Sequence, residues 1–208
     1  MTPEILLSAF VTLFVIIDPV GIAPIFLGLT GDRAAAERRA IAIKAVIIAV
    51  IVLVAFAVGG QWLLAATGIS LPAFRVAGGI LLFWISVEMV FERRTQRKES
   101  TAERSVVEEP HDDIAAVPLA VPLMAGPGAI TAVILLASEA GGGLLELFAV
   151  IGVIAVTLAV TLVILLIAMP IDRLMGKTVR TVITRLLGVI LSALAVQFVA
   201  DGVIALMS

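Results

Sequence analysis

The chain has 208 residues, of which 62% are hydrophobic and 14% charged, and its formal net charge is −2. Soluble domains contain roughly 45–50% apolar and about 25% charged residues, and a chain of this length cannot bury so much apolar surface in one aqueous core. We therefore expect lipid to solvate the surface. The absence of cysteine excludes disulfides and thiolate metal sites. The chain has a single histidine, His111, which excludes a metal site built from a histidine cluster. The weak net charge argues against a nucleic-acid partner. No cofactor or bound metal is expected.

Six apolar stretches are long enough to cross a hydrocarbon layer about 30 Å thick as helices. The first begins without the basic region and the cleavage site of a signal peptide, so we expect it to be retained. The sequence predicts an all-α integral membrane protein with six transmembrane helices, which run roughly over residues 5–29, 41–64, 71–91, 114–137, 144–169 and 182–207.

Basic residues predict the orientation of these spans. They follow spans 1, 3 and 5, whereas the termini and the other two loops contain no lysine or arginine. The positive-inside rule then places both termini outside a bacterial or archaeal cytoplasmic membrane. Residues 92–113 form the one long polar segment, and its mixed charges favour a mobile cytoplasmic linker. His111 lies in this linker, where we expect an incidental role.

A weak internal repeat divides the chain into residues 1–91 and 114–208. Span 3 opens with Arg75 and Gly78 and span 6 with Arg185 and Gly188, in a shared R-x-x-G-x-I-L pattern. Each half contains three spans, an odd number, so the second half would start on the opposite side of the membrane from the first. The sequence therefore predicts two inverted three-helix repeats. Glycines at such positions favour close helix approach, as at Gly79.

Spans 1 and 4 share a second feature, because proline and glycine interrupt each of them near mid-membrane. Proline removes a backbone donor and clashes with the preceding turn, and opened backbone at membrane depth is tolerated where it faces protein or water. Paired broken helices in inverted repeats indicate a transporter site near the midplane, although two simple proline kinks would leave the same pattern. The residues predicted to bind substrate are Asp18, Pro19, Val20, Gly21, Gly126, Pro127, Gly128, Ala129 and Thr131.

Asp18 is the candidate for ion coupling, because a carboxylate at membrane depth is costly and usually functional. The N-terminal ends of the two half-helices would attract a carboxylate, and the opposing carbonyls or Asp18 would attract an ammonium group or a cation. The alternative is that Asp18 caps the helix that begins at Pro19. We expect Glu88 to lie at a membrane interface, and Arg75 to pair with an acid, to bind an anion or to extend to the outer surface.

The interrupted segments also carry a resemblance to a known family. The runs F-V-T-L-F and I-D-P-V-G-I-A-P-I-F in span 1, and P-L-A-V-P-L-M-A-G-P-G-A-I-T in span 4, resemble the two signatures of the MarC family of bacterial and archaeal inner-membrane proteins. The resemblance covers essentially the whole chain. It implies transport of small neutral amino acids such as glycine and alanine, coupled to a cation gradient, as in SnatA-type members, and a plan similar to that of LysE-type exporters.

The sequence therefore predicts a secondary transporter of small neutral amino acids (glycine, alanine and serine), which is not an enzyme. A proton or a sodium ion would supply the coupling: Asp18 favours the proton, and opened carbonyls favour sodium. The alternatives are an exporter or channel for another small solute, and a membrane subunit that transports nothing. The sequence leaves the direction of transport and the oligomeric state open.

Overall fold

The computed structural model describes residues 2–108, 113–139 and 143–208, without the side chains of residues 103–108, 171–175 and 177. His111 lies outside the described residues. We refer to the irregular Ala115–Met124 as the proline segment. The described ranges contain α1 (Pro3–Ile17), α2 (Pro19–Thr30), α3 (Ala35–Ala66), α4 (Leu71–Val90), α5 (Arg93–Glu108), the proline segment, α6 (Pro127–Glu139), α7 (Leu144–Leu166) and α8 (Ala168–Met207).

The helices confirm the predicted all-α membrane architecture. Within the described residues, five helical stretches are long and apolar enough to cross a membrane, and the proline segment with α6, bent by 58°, makes a sixth. Helices α1 and α2 together form the first span, Pro3–Thr30, and the last span is Thr178–Met207, the part of α8 that follows a kink at Gly176. The bounds agree with the predicted spans to within a few residues, except that α3 begins six residues earlier. The inverted relation between the halves stays a prediction.

The two interrupted spans lie at the centre of the helix bundle. In the apolar part of Pro3–Thr30, 56% of the residues are buried inside the protein, compared with 17% in Thr178–Met207. In α6, nine of 13 residues are buried. Large apolar side chains on the outer helices, such as Ile51, Trp62 and Val196, are exposed, which is the pattern expected when lipid surrounds the bundle. The breaks therefore face protein.

Helices α4 and α8 form the most extensive helix pair, and they run antiparallel through glycine contacts. A side chain at Gly79 would meet the backbone of Ala195 and Val199, and one at Gly188 would meet Met89 and the carbonyl of Ser86. These contacts confirm the predicted close approach at Gly79 and Gly188. Gly78 allows a similarly close approach to α6, where an added Cβ atom would meet Thr131 and Leu135.

The end of α6 farther from the breaks is attached to its neighbours by polar contacts. Nη2 of Arg75 lies 3.2 Å from Oε1 of Glu139, and Nε2 of Gln61 donates to the carbonyl of Ala137 at 3.3 Å. Of the roles considered for Arg75, pairing with an acid is the one observed.

The polar segment after span 3 is helical, although the sequence favoured a mobile linker. Helix α5 begins at Arg93, almost directly after α4 ends at Val90, and continues to Glu108. Basic and acidic residues give it a polar composition, and it contacts α2, α4 and the proline segment. This return of α5 to the bundle brings its charged side chains to the interrupted spans.

Candidate functional site

The interruption in the first span is a single residue, Asp18. Its backbone is left-handed (φ 56°, ψ 64°), and it separates α1 from α2. Proline at the next position starts α2 without a donor to satisfy, and the Asp18 carboxylate accepts from the backbone N–H of Gly21 at 3.1 Å. A Cβ atom at Gly21 would collide with that carboxylate, so a larger residue there would displace the capping side chain. The predicted capping role of Asp18 is therefore observed.

The interruption in the fourth span is longer. Val117 and Val121 have extended backbones inside the proline segment, because each precedes a proline, which disfavours the helical conformation of the residue before it. After Ala125 the chain bends by 58° and α6 begins at Pro127. The first turn of a helix has N–H groups without intrahelical acceptors and a partial positive charge, and here that turn includes Gly128 and Ala129.

Two cations of α5 bind the open end of α1. Nη2 of Arg94 donates to the carbonyl of Ile16. Nζ of Lys98 donates to the carbonyl of Ile17 at 3.0 Å and lies 3.5 Å from Oδ2 of Asp18. Residues four apart share one face of a helix, which lets both side chains reach the same break. The last carbonyls of α1 lack intrahelical donors and carry partial negative charge, so the cations of α5 satisfy them.

Burial changes the chemistry of these two cations. Arg94 is 8% exposed and Lys98 is 9% exposed. Burial lowers the pKa of Lys98 to about 8, although the nearby Asp18 charge opposes this effect. Burial likewise lowers the pKa of Arg94, against the opposing charges of Asp18 and Glu88. An isolated buried charge is unfavourable, so the docked position of α5 depends on the groups that face it.

The lowered pKa of Lys98 predicts that docking of α5 strengthens as the pH rises. Docking moves this pKa from 10.5 to about 8, so the docked state binds fewer protons between these values and higher pH favours it. Below pH 8 both states are protonated, and the preference is constant. We expect a larger docked fraction at pH 10 than at pH 8, measured as the spin-label distance between cysteines introduced at Ser100 and Ala36 of this cysteine-free chain.

Lys98→Arg is the control for this measurement, because a guanidinium stays protonated over the same range. Its docked fraction should not change between pH 8 and pH 10. A docked fraction that falls with pH in the unchanged chain would contradict the prediction.

A small cavity lies where the two interruptions meet α4 and α5. Its volume is about 90 Å³, compared with roughly 300–1,000 Å³ for pockets that hold drug-sized ligands. Its walls combine the open backbone of span 4 with charged side chains of both signs. The lining residues are Ile16, Ile85, Glu88, Arg94, Arg97, Lys98, Thr101, residues 122–124 and residues 126–129.

Glu88 lies near the end of α4, where its side chain is buried inside the protein. It is 8% exposed, and its Oε1 atom accepts from Nε1 of Trp84 at 3.1 Å and from Nη1 of Arg97 at 2.6 Å. Its Oε2 atom is buried and has no hydrogen-bond partner in the described part of the chain. The same holds for Nη1 of Arg94. Both residues line the cavity.

The predicted site residues divide into two groups. Gly126, Pro127, Gly128 and Ala129 line the cavity. The residues of the first interruption lie behind that lining: Asp18 is fully buried, Pro19 and Gly21 are buried, and Val20 is half-buried. The methyl group of Thr131 packs against Gly78 of α4.

The sequence prediction missed the four charged residues of the cavity, Glu88, Arg94, Arg97 and Lys98. The one local signal for these residues was the i, i+4 spacing of Arg94 and Lys98, which predicts that they share one face of a helix. The spacing does not predict what that face contacts. Within the described ranges, no group of three or more His, Cys, Asp or Glu side chains is placed to hold a metal ion.

The central pair of interrupted spans, the lipid-facing outer helices and the small charged cavity define a multi-pass α-helical membrane protein with an internal polar site. The comparisons with known proteins agree with this class. Residues 4–207 match the model of the MarC family integral membrane protein, and the chain belongs to that family.

Relatives of this chain occur in archaea and bacteria. It is 40% identical to a UPF0056 membrane protein of Methanocaldococcus jannaschii over 98% of both chains. It is 36% identical to the UPF0056 membrane protein YvbG of Bacillus subtilis, over 95% of this chain and 93% of the relative. It is 34% identical to YhcE of Escherichia coli, over 93% of this chain and 89% of the relative. No solved structure matches the chain.

Proposed function

We propose that this protein is a secondary transporter of small neutral amino acids, such as glycine, alanine and serine, coupled to a proton or sodium gradient. It would act in a bacterial or archaeal cytoplasmic membrane with both termini outside. The observation that carries the proposal is the cavity of about 90 Å³ between two interrupted central spans, lined by buried charges of both signs.

The volume and the charges of this cavity together favour a small zwitterion. The cavity leaves little room for a side chain beyond the amino-acid backbone. Buried charged groups in a membrane protein usually mark a substrate or ion pathway, and helix ends exposed by a break suit the charged groups of an amino acid. An enzyme is disfavoured because the sequence contains neither an H-E-x-x-H nor a G-x-S-x-G motif.

The position of α5 supports alternating access as the transport mechanism. Arg94 and Lys98 attach α5 to the end of α1, and α5 contributes part of the cavity wall. Separation of α5 from the breaks would open the cavity on the side of the linker. The ion pair between Arg75 and Glu139 lies at the other end of α6, where a second opening would be expected.

The test is uptake of labelled glycine and alanine by liposomes that contain the purified protein, with an imposed proton or sodium gradient. Saturable uptake that depends on one gradient is expected. Flux that does not saturate would favour a channel, and uptake of other solutes alone would indicate a different substrate. No flux of any solute would favour a subunit that does not transport.

Filling the cavity should block this uptake. Ala129→Leu places a larger side chain at the start of α6, and overpacking of this kind should lower glycine uptake by about tenfold or more. Ala159→Leu, the same change at an exposed position on α7, is the control and should leave uptake unchanged. Equal uptake by both variants, with Ala129→Leu folded, would place the route elsewhere.

A further inference from the structure

The charges around the cavity are unevenly paired. Arg97 pairs with Glu88, and Lys98 pairs with Asp18. Among the described residues, Arg94 forms no ion pair with a carboxylate; Nη2 donates to the carbonyl of Ile16, and Nη1 is buried without a partner. A buried, charged N–H group without an acceptor is costly, so the site can accept an anionic group at Nη1 of Arg94.

The start of α6 also favours an anionic group in the cavity, for a reason independent of Arg94. Residues 126–129 line the cavity beside Arg94, and the first turn of a helix presents N–H groups and a positive dipole end. A helix start alone does not define a site, but here it shares a small cavity with an unpaired guanidinium that is 8% exposed. Both features favour a carboxylate.

Glu88 supplies a negatively charged acceptor for the other end of such a ligand. Arg97 and Trp84 occupy Oε1, whereas Oε2 is buried without a partner. A carboxylate oxygen has lone pairs that accept from an ammonium group, and burial strengthens such a contact. The larger hollows beside α2, with volumes of about 320 and 420 Å³, are lined by neither Glu88 nor Arg94.

We propose that this cavity binds the two charged ends of an amino-acid substrate, with the carboxylate at Nη1 of Arg94 and the first turn of α6, and the ammonium group at Oε2 of Glu88. The inference rests on the proposed function, since it assigns the substrate contacts of that transporter. Both charged groups of the substrate are therefore required for binding, and a substrate with one of them blocked leaves either Nη1 of Arg94 or Oε2 of Glu88 without a partner.

The first test uses the unchanged protein in liposomes and measures competition with labelled glycine uptake. Glycinamide lacks the carboxylate and N-acetylglycine lacks the ammonium group. Because hydrogen bonds to charged groups are strong, each analogue should compete about ten- to a hundredfold less well than unlabelled glycine. If either analogue competes as well as glycine, this proposal is wrong while the proposed function stands.

The second test separates the two ends of the substrate. Glu88→Gln should raise the half-saturating glycine concentration by about tenfold or more and weaken the discrimination against N-acetylglycine. Arg94→Lys loses the second N–H group of the guanidinium fork, and it should raise the same concentration and weaken the discrimination against glycinamide. A merely structural role for either residue would not change the selectivity between analogues.

Matched controls use the same substitutions at exposed positions of α5, Glu99→Gln and Arg93→Lys, which should leave uptake and selectivity unchanged. Thermal unfolding of every variant shows whether it is folded, and the competition on the unchanged protein needs no variant. Glycine uptake with unaltered selectivity in both site variants would overturn this assignment alone. Absence of amino-acid uptake in the unchanged protein would overturn it together with the proposed function.

Discussion

Asp18→Asn is expected to lower the free energy of unfolding by about 3–5 kcal/mol, because it breaks a buried ion pair and leaves Lys98 without its counter-charge. Asparagine tolerates the left-handed backbone of this position, and its amide oxygen can still accept from the N–H of Gly21. The substitution therefore removes the charge and leaves the cap. Chemical unfolding in detergent micelles measures the change, and Asp32→Asn, at an exposed position, is the control.

A double-mutant cycle with Lys98 distinguishes the two roles considered for Asp18. Lys98→Met removes the cation, and in the double variant no buried charge of this pair is left, so the combined loss of stability should be smaller than the sum of the two. If Asp18 takes part in ion coupling, the stable double variant still fails to take up glycine. Recovery of uptake would leave Asp18 as a cap and a partner of Lys98 only.

Gly79→Ala is expected to destabilise the protein by about 1–3 kcal/mol, because overpacking forces the contacting helices apart. The new Cβ atom would lie 2.9 Å from both the carbonyl oxygen of Ala195 and the backbone nitrogen of Val199. These are backbone atoms of α8, which cannot move aside by a rotamer change. Unfolding in detergent micelles, followed by helix content, measures the effect.

Gly59→Ala is the matched control for this prediction. A Cβ atom at Gly59, in the interior of α3, would meet nothing within 4 Å, and alanine in a helix interior is favoured over glycine by roughly 0.5–1 kcal/mol. The control should therefore be neutral or stabilising. Equal destabilisation by both substitutions would mean that helix propensity or lipid contact, rather than the approach of α8, determines the effect at Gly79.

Local signals in the sequence were sufficient for the spans and their interruptions. Length and hydrophobicity specify where a helix can cross lipid. Pro19 starts α2, and the residues before Pro118 and Pro122 are extended, because proline restricts its own backbone and that of its predecessor. The order of Asp18 before Pro19 also predicted the cap. These effects act over a few residues, so they can be predicted from the local sequence.

The charged half of the cavity could not be predicted in this way. Arg94 and Lys98 bind carbonyls 78 and 81 residues earlier in the chain, and nothing local to α5 specifies that contact. Charges in a polar linker are usually solvated, which is why the sequence favoured mobility there. Glu88 was assigned to an interface because it lies one turn before the polar end of span 3, and its contact with Arg97 of α5 could not be seen from that position.

The chain contains one segment between its two halves, so α5 has no second copy for the other face of the bundle. In a carrier built of two identical inverted halves, the two access states would have the same free energy by symmetry. Helix α5 occurs in one copy, so the two states would differ in free energy. In the proposed transporter, the preferred resting state would then depend on residues 93–108, which lie outside the candidate membrane spans, and substitutions there would shift the preference while the lipid-facing surface stays unchanged.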